Sequence, residues 1–256
     1  MHNGSFDTKQ ERTVEPAPKV LLRKLREHSR LGEEDIARII GLSFLVRQFR
    51  ADEDLVRQGD RPRAAALVLS GIVGRYHLLG GGTRQYLAFH IPGDMPDAQG
   101  LFIDEMDHAV CAMGSATVAF IPHSDLIDAF KARPPLAFAV WRETLIDAAI
   151  FREAITNNSA RPVLKRMAHL FCELFYRANA AGVAQQGQLP LPISLIQLGE
   201  ALGMAIATVN RALQGLRAHG AADFRDGVLT VRNFDKLVKL SEFDPRYLHL
   251  KKASPV

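Results

Sequence analysis

The sequence predicts an α+β fold: a β-roll, then one long helix, then a small C-terminal unit of two crossed helices and a β-hairpin. Three observations carry this. Short apolar runs punctuated by Gly, Asp and Pro fill residues 44–122. Helical periodicity takes over at 135–157. Residues 193–217 read as two short helices separated by a glycine turn.

Taken in order, residues 1–18 are polar and Pro-containing and read as a flexible extension. Leu21, Leu22 and Leu25, then Ile36, Ile39 and Ile40, recur at helical spacing, and Gly41 supplies a stop. The strand runs are 64–70, 72–79, 84–91 and 116–122. Their breaks are Gly59-Asp60, Ser70-Gly71, Gly80-Gly81-Gly82 and Pro92-Gly93-Asp94. The triple glycine reads as a hairpin tip, because no Lys-Ser/Thr or helix follows to make it a phosphate loop. Pro134 and Pro135 stand where prolines start a helix. Along that helix Phe138, Trp141, Leu145, Ala148, Arg152 and Ile155 form a seam at alternating spacings of three and four, apolar except at Arg152. A narrow seam of this kind suits a dimer interface, and the alternative is packing on its own domain. Pro162 marks a hinge, 163–182 is a further helix, and 183–192 is a polar loop. The expected division is 1–18 extension, 19–133 β-roll, 134–160 dimerisation helix, 161–243 C-terminal domain and 244–256 tail.

Ser194 and Gln197 have the three-residue spacing of a capping box. Leu198 and Leu202 make the apolar stripe of the first short helix. Gly199 is small where a second helix crosses, Gly203 can end the first helix, and Val209 and Leu213 point the second inward. The strand–Asp226-Gly227–strand pattern of 220–233 adds a hairpin, which makes the unit a winged helix-turn-helix. Such a unit presents the first half of its second helix to the major groove. Ala205, Ile206 and Ala207 can touch thymine methyls, Asn210 can read adenine and Arg211 guanine. Thr208 and Arg217 suit phosphates. The charge agrees: residues 161–256 hold 13 Lys/Arg against 7 Asp/Glu, in a chain whose net charge is +4.

With these motifs in place the chain resembles the cyclic-AMP receptor protein/FNR superfamily. The resemblance rests on Arg57-Gln58-Gly59-Asp60, Leu67-Val68-Leu69-Ser70-Gly71, Pro92-Gly93-Asp94 and 193–217, and spans about residues 21–243. It implies a cyclic-nucleotide-binding-like β-roll, a long dimerisation helix and a C-terminal winged helix-turn-helix. It also implies a homodimeric transcription regulator on a palindromic operator, with RNA polymerase as a partner if it activates. The segments 105–110 and 142–153 resemble a subgroup of such regulators without a well-defined signal. The alternative the resemblance leaves is a sensor whose cyclic nucleotide or other small molecule switches DNA binding.

In cyclic-AMP-binding members a Gly-Glu pair and an Arg-Ser pair follow Pro-Gly-Asp. Here Met95-Pro96-Asp97 and Asp107-His108 stand near those places, and an aspartate where the phosphate should pair repels the ligand. Cyclic AMP and an iron–sulfur cluster are therefore not expected, the latter because the N-terminal cysteine cluster is lacking. No metal or other cofactor is expected. His108 as a haem ligand is weighed against an ordinary hydrogen-bonding histidine. An effector, if there is one, is expected near Phe102, Asp107, His108, Trp141, Phe151 and Arg152, with Arg152 needing a partner such as Asp107 if buried; for Trp141 and Phe151 core packing is the competing role. No nucleophile–base pair or cofactor fingerprint marks an enzyme, so no catalytic residue is assigned. No apolar run reaches the ~20 residues of a membrane span, and the two separated cysteines suit a reducing cytoplasm.

Overall fold

Apolar periodicity begins earlier than the extension predicted at 1–18 allows. In the computed structural model, which describes residues 15–250, helix α1 (Ala17–Arg26) starts at Ala17. Ala17, Val20, Leu21 and Leu25 share its buried face. The extension therefore ends before residue 17, and residues 1–14 lie outside the described residues. Helix α2 (Glu33–Ile40) opens with the Gly32 amide donating to Asp35 and stops at Gly41.

The roll is built from β1 (Leu45–Phe49), β2 (Asp54–Val56), β3 (Ala64–Ser70), β4 (Val73–Leu78), β5 (Arg84–His90), β6 (Ala109–Ala112) and β7 (Ala116–Pro122). The four runs predicted as strands became β3, β4, β5 and β7. The shorter β1, β2 and β6 complete two antiparallel sheets, of order β1-β7-β3 and β2-β6-β4-β5. Strands β3, β4, β6 and β7 are largely covered on both faces, whereas the edge strand β1 is exposed from Leu45 to Gln48. In β3, Ala66 and Val68 face the interior of the roll, while Ala65, Leu67 and Leu69 face a helical layer that includes α1. In the other sheet Val73, Val110 and Ala112 face inward, and Tyr76, Tyr86, Phe89 and Cys111 face the C-terminal domain. A strand buried on both sides needs no polar alternation, which is why 64–70 reads as an unbroken apolar run.

Helix α3 (His123–Ala132), not predicted, packs against the roll, and α4 (Pro134–Ala160) follows after Arg133. The C-terminal domain comprises α5 (Val163–Ala180), β8 (Gln188–Pro190), α6 (Leu195–Leu202), α7 (Ile206–Ala218), β9 (Ala222–Arg225), β10 (Val228–Val231) and α8 (Phe234–Ser241). The predicted loop 183–192 contains β8, which pairs with β10, so the wing has three strands in the order β8-β10-β9. Asp226 and Gly227 both take positive φ, as a type I′ turn requires. The predicted tail 244–256 is corrected over its described part. Pro245–Leu248 form a 3-10 turn, Leu248 is buried, and the Tyr247 hydroxyl donates to Glu173 at 2.7 Å. Residues 251–256 lie outside the described residues.

Candidate nucleic-acid interface and effector region

The two crossed helices are fixed by local chemistry first. Ser194 Oγ accepts from the Gln197 amide at 3.1 Å, and the Gln197 side chain accepts from the Ser194 amide at 2.8 Å. Two otherwise unpaired amides at the start of α6 are thus satisfied. Gly203 ends the helix at φ 62°. A Cβ on Gly199 would lie 2.5 Å from the Met204 carbonyl oxygen, so only glycine lets the turn between the helices close this tightly. Leu198, Leu202, Val209, Leu213 and Leu216 then bury against α5, and Arg166 of α5 donates to the Leu202 carbonyl at 2.9 Å. Each such leucine contributes about 1.5–3 kcal/mol of burial.

That packing turns the other side of α7 outward. Ala205, Ile206, Ala207, Asn210 and Arg211 are exposed, and Thr208 is half-buried, accepting from Arg211 at 3.1 Å. Gln214 is exposed one turn beyond Asn210 and belongs to the same face; the spacing 207, 210/211, 214 is visible in the sequence and could have found it. Ser194 and Gln197 lie at the start of α6, and the Gln197 amide nitrogen donates to the Tyr86 hydroxyl at 3.4 Å. Arg217 is partly committed, since its Nε and Nη2 donate to Asp223 Oδ1 at 3.1 and 2.8 Å.

The effector residues expected from the sequence do not converge. Phe102 is 69% exposed, and Trp141 is 56% exposed rather than packed in the core. Arg152 is exposed, so it is not the buried charge that needed a partner. Asp107 is exposed and pairs instead with His108, whose Nδ1 donates to it at 2.6 Å, while His108 Nε2 accepts from Gln99 at 3.1 Å. Burial lowers the His108 pKa below its ordinary value. Phe151 alone touches the junction of roll and long helix, its ring 4.9 Å from the Arg75 guanidinium. Arg75, missed in the sequence, is 2% exposed; it donates to Asp147 of α4 at 2.7 Å and to the Pro96 carbonyl. Burial pushes the Asp97 carboxyl up to about 6, against the pull of the Ala66 amide and Arg75. A cyclic phosphate needs a free cation, but this region offers the carboxylates of Asp97, Asp107 and Asp147, and Arg75 is already engaged.

Beside this region lies a buried ionic junction that joins four parts of the chain. Lys24 of α1 lies 3.0 Å from Asp94, 3.2 Å from Glu143 of α4 and 3.4 Å from Glu27. Arg177 of α5 reaches Asp94 at 2.5 Å and Glu173 at 3.2 Å. Burial alone would raise the Asp94 carboxyl, but Lys24 and Arg177 overcome it and hold it well below the usual carboxylate range. A lysine three residues after Leu21 and one before Leu25, on the apolar stripe of α1, was the available signal.

Helix α4 has two apolar faces. Leu136, Ala139, Val140, Ile146, Ala149 and Ile150 are buried on its own chain. Phe138, Trp141, Leu145 and Ile155 are exposed by 51–69%, with Ala148 half-buried between them and Arg152 exposed among them.

Comparison with known proteins agrees with this geometry. The family model of a cyclic nucleotide-binding domain matches residues 46–133, and that of a Crp-like helix-turn-helix domain matches residues 165–240. The transcriptional activator protein FnrA of Stutzerimonas stutzeri is 25% identical over 174 residues, covering 68% of this chain and 71% of the relative. An anaerobic regulatory protein of Aggregatibacter actinomycetemcomitans is 22% identical over 211 residues, covering 82% of each chain. The structure of FixK2 from Bradyrhizobium japonicum superposes with a TM-score of 0.69 at 27% identity, over 78% of this chain and 98% of that one. With both modules matched in this order around the long helix, the chain belongs to the cyclic-AMP receptor protein/FNR superfamily of DNA-binding transcription regulators.

Proposed function

We propose that the chain regulates transcription as a cytoplasmic homodimer, joined along the exposed seam of α4 and bound to a palindromic operator without a small-molecule effector. The observation that carries this reading is the outward face of α7, open to solvent while its other side is locked onto α5 and α6. On this reading Ile206 and Ala207 meet thymine methyls, Asn210 and Arg211 read base edges, and Thr208 and Arg217 meet phosphates, with Ala205, Ser194 and Gln197 at the rim. The seam supports the dimer, since an apolar stripe of Phe138, Trp141, Leu145 and Ile155 in water is stabilised by a second copy. Independence from an effector is supported by Arg75, which already joins roll to long helix, and by His108, whose two ring nitrogens are both engaged and leave none for a haem iron. The chain carries no catalytic role on this reading, and RNA polymerase is its further partner if it activates. Among the described residues no helix is long and apolar enough to cross a membrane.

The test is selection of bound DNA from a random pool with purified protein and no added ligand, repeated with Arg211→Ala. A palindromic site from the unaltered protein is the expected result. Arg211→Ala should weaken it by about 1–3 kcal/mol and relax one position per half-site. Equal weakening on all sequences would remove Arg211 from base reading. A site recovered only after a cyclic nucleotide is added would favour the ligand-switched alternative, which the cyclic nucleotide-binding match brings with it.

A further inference from the structure

The helix-turn-helix family model ends at residue 240, and the chain beyond it folds back onto the long helix. The buried Phe243 ring meets His169 and Tyr176 of α5 edge-on, at 5.5 Å each, and Tyr247 stacks on His169 at 6.2 Å. Asp244 caps the turn Pro245–Leu248 by accepting from the Arg246 amide at 3.0 Å. The turn carries Leu248 and Leu250 to a cavity of about 20 Å³, room for roughly one water molecule, shared with Ile146 and Ile150 of α4 and with Lys24 and Asp94 of the ionic junction. One segment thus grips α5 at one end and reaches α4 at the other. We propose that residues 243–250 brace the DNA-binding domain against the long helix, and that Tyr247 and Leu248 are positioning residues for the half-site spacing a dimer reads.

The lever arm supports it. Helices α4 and α5 meet at Arg161-Pro162. The bonds that tie them near that pivot, Asn157 to the Arg166 carbonyl at 3.1 Å and His169 to Glu153 at 3.2 Å, lie within about 12 Å of it along either helix. Tyr247 holds α5 at Glu173, and Leu248 faces Ile146 and Ile150, all about 15–22 Å from the pivot. A contact far from a pivot limits rotation more than one beside it. The brace also feeds the ionic junction. Tyr247 donates to Glu173 Oε2 while Glu173 Oε1 accepts from Arg177, which reaches Asp94. Those pairs keep their strength while water is excluded, and Leu248 and Leu250 supply apolar walls of the cavity they share. Other residues, among them Leu198, Leu202, Val209 and Leu213, seat α6 and α7 on α5, so losing Leu248 leaves the reading helix in place.

The proposal rests on the homodimer reading, and the experiment separates the two. Affinity of the full chain is measured for the palindrome selected by the unaltered protein, for that palindrome with two base pairs inserted at its centre, and for one half-site alone. Leu248→Ser should leave half-site binding unchanged and weaken the palindrome about tenfold, because a loosened link lowers the effective concentration of the second reader. It should also reject the inserted duplex less. Tyr247→Phe, which removes only the hydroxyl, should move the same ratios in the same direction by less. Leu248→Ile refills the space and should behave as the unaltered protein. Unchanged ratios in both Leu248→Ser and Tyr247→Phe overturn the brace and leave the dimeric regulator intact. Equal losses on half-site and palindrome also overturn it, since the damage then lies within the domain. If Leu248→Ser does not fold, Tyr247→Phe decides by the same ratios. An unaltered protein that selects no palindrome, or binds one half-site as tightly, overturns the dimeric reading and the brace together.

Discussion

Two aspartates in this chain each collect several cations, and the difference between them lies in their solvent. Asp94 is 4% exposed, and its partners Lys24 and Arg177 are 10% and 7% exposed. Asp223 is 10% exposed, but its three arginines, Arg217, Arg225 and Arg232, are 40–64% exposed. At Asp94 every charge is spent inside the protein, joining α1, the turn after β5, α4 and α5. At Asp223 the carboxylate is consumed and the cations still face water. The same ion-pair chemistry makes architecture when it is desolvated and leaves its cations facing water when it is not.

The largest effect should come from breaking the buried member of the pair. Asp94→Ala strands Lys24 and Arg177 without their shared partner and should cost about 3–5 kcal/mol in urea unfolding. Asp223→Ala should cost much less in the same assay, and equal losses would show that the two aspartates do not differ in this way. The sign with pH follows from the depressed Asp94 pKa. Its contribution is present above the ordinary carboxylate range and is lost as pH falls through the folded value, so the gap between Asp94→Ala and the unaltered protein should narrow in acid.

Next comes the exposed face of α4. If the seam is a dimer interface, Trp141→Asp should weaken self-association by about 2 kcal/mol or more and shift sedimentation toward monomer. Unchanged sedimentation would return the stripe to the free surface. A smaller effect of opposite sign is expected at Asp97. Its folded pKa, about 6, lies above the ordinary carboxylate value of 3.8, so its contribution is complete below the lower value and is lost as pH rises through the higher one. Asp97→Asn keeps an acceptor for the Ala66 amide and should stabilise the protein by roughly 1–3 kcal/mol at pH 7, with the gain vanishing near pH 4. A gain that does not change with pH would show that Asp97 is ionised in the folded chain at all these values.

What the sequence by itself determined is local. The four main strands, the helix that begins at Pro134, the capping box at Ser194, the glycine turn at Gly203 and the hairpin at Asp226-Gly227 all follow from periodicity and backbone chemistry within a few residues. The alternating seam on α4 was legible for the same reason. The tertiary structure decided which charges are buried. Arg152 interrupts an apolar seam in sequence yet faces water, while Arg75, flanked by Gly74 and Tyr76, is enclosed by Asp147 and Pro96 from distant segments. Lys24, Asp94, Glu143 and Arg177 meet across separations that no local pattern encodes. A charge in water costs little wherever it stands. A charge in the interior must be met by partners from other elements, and their meeting is fixed only when the layers pack.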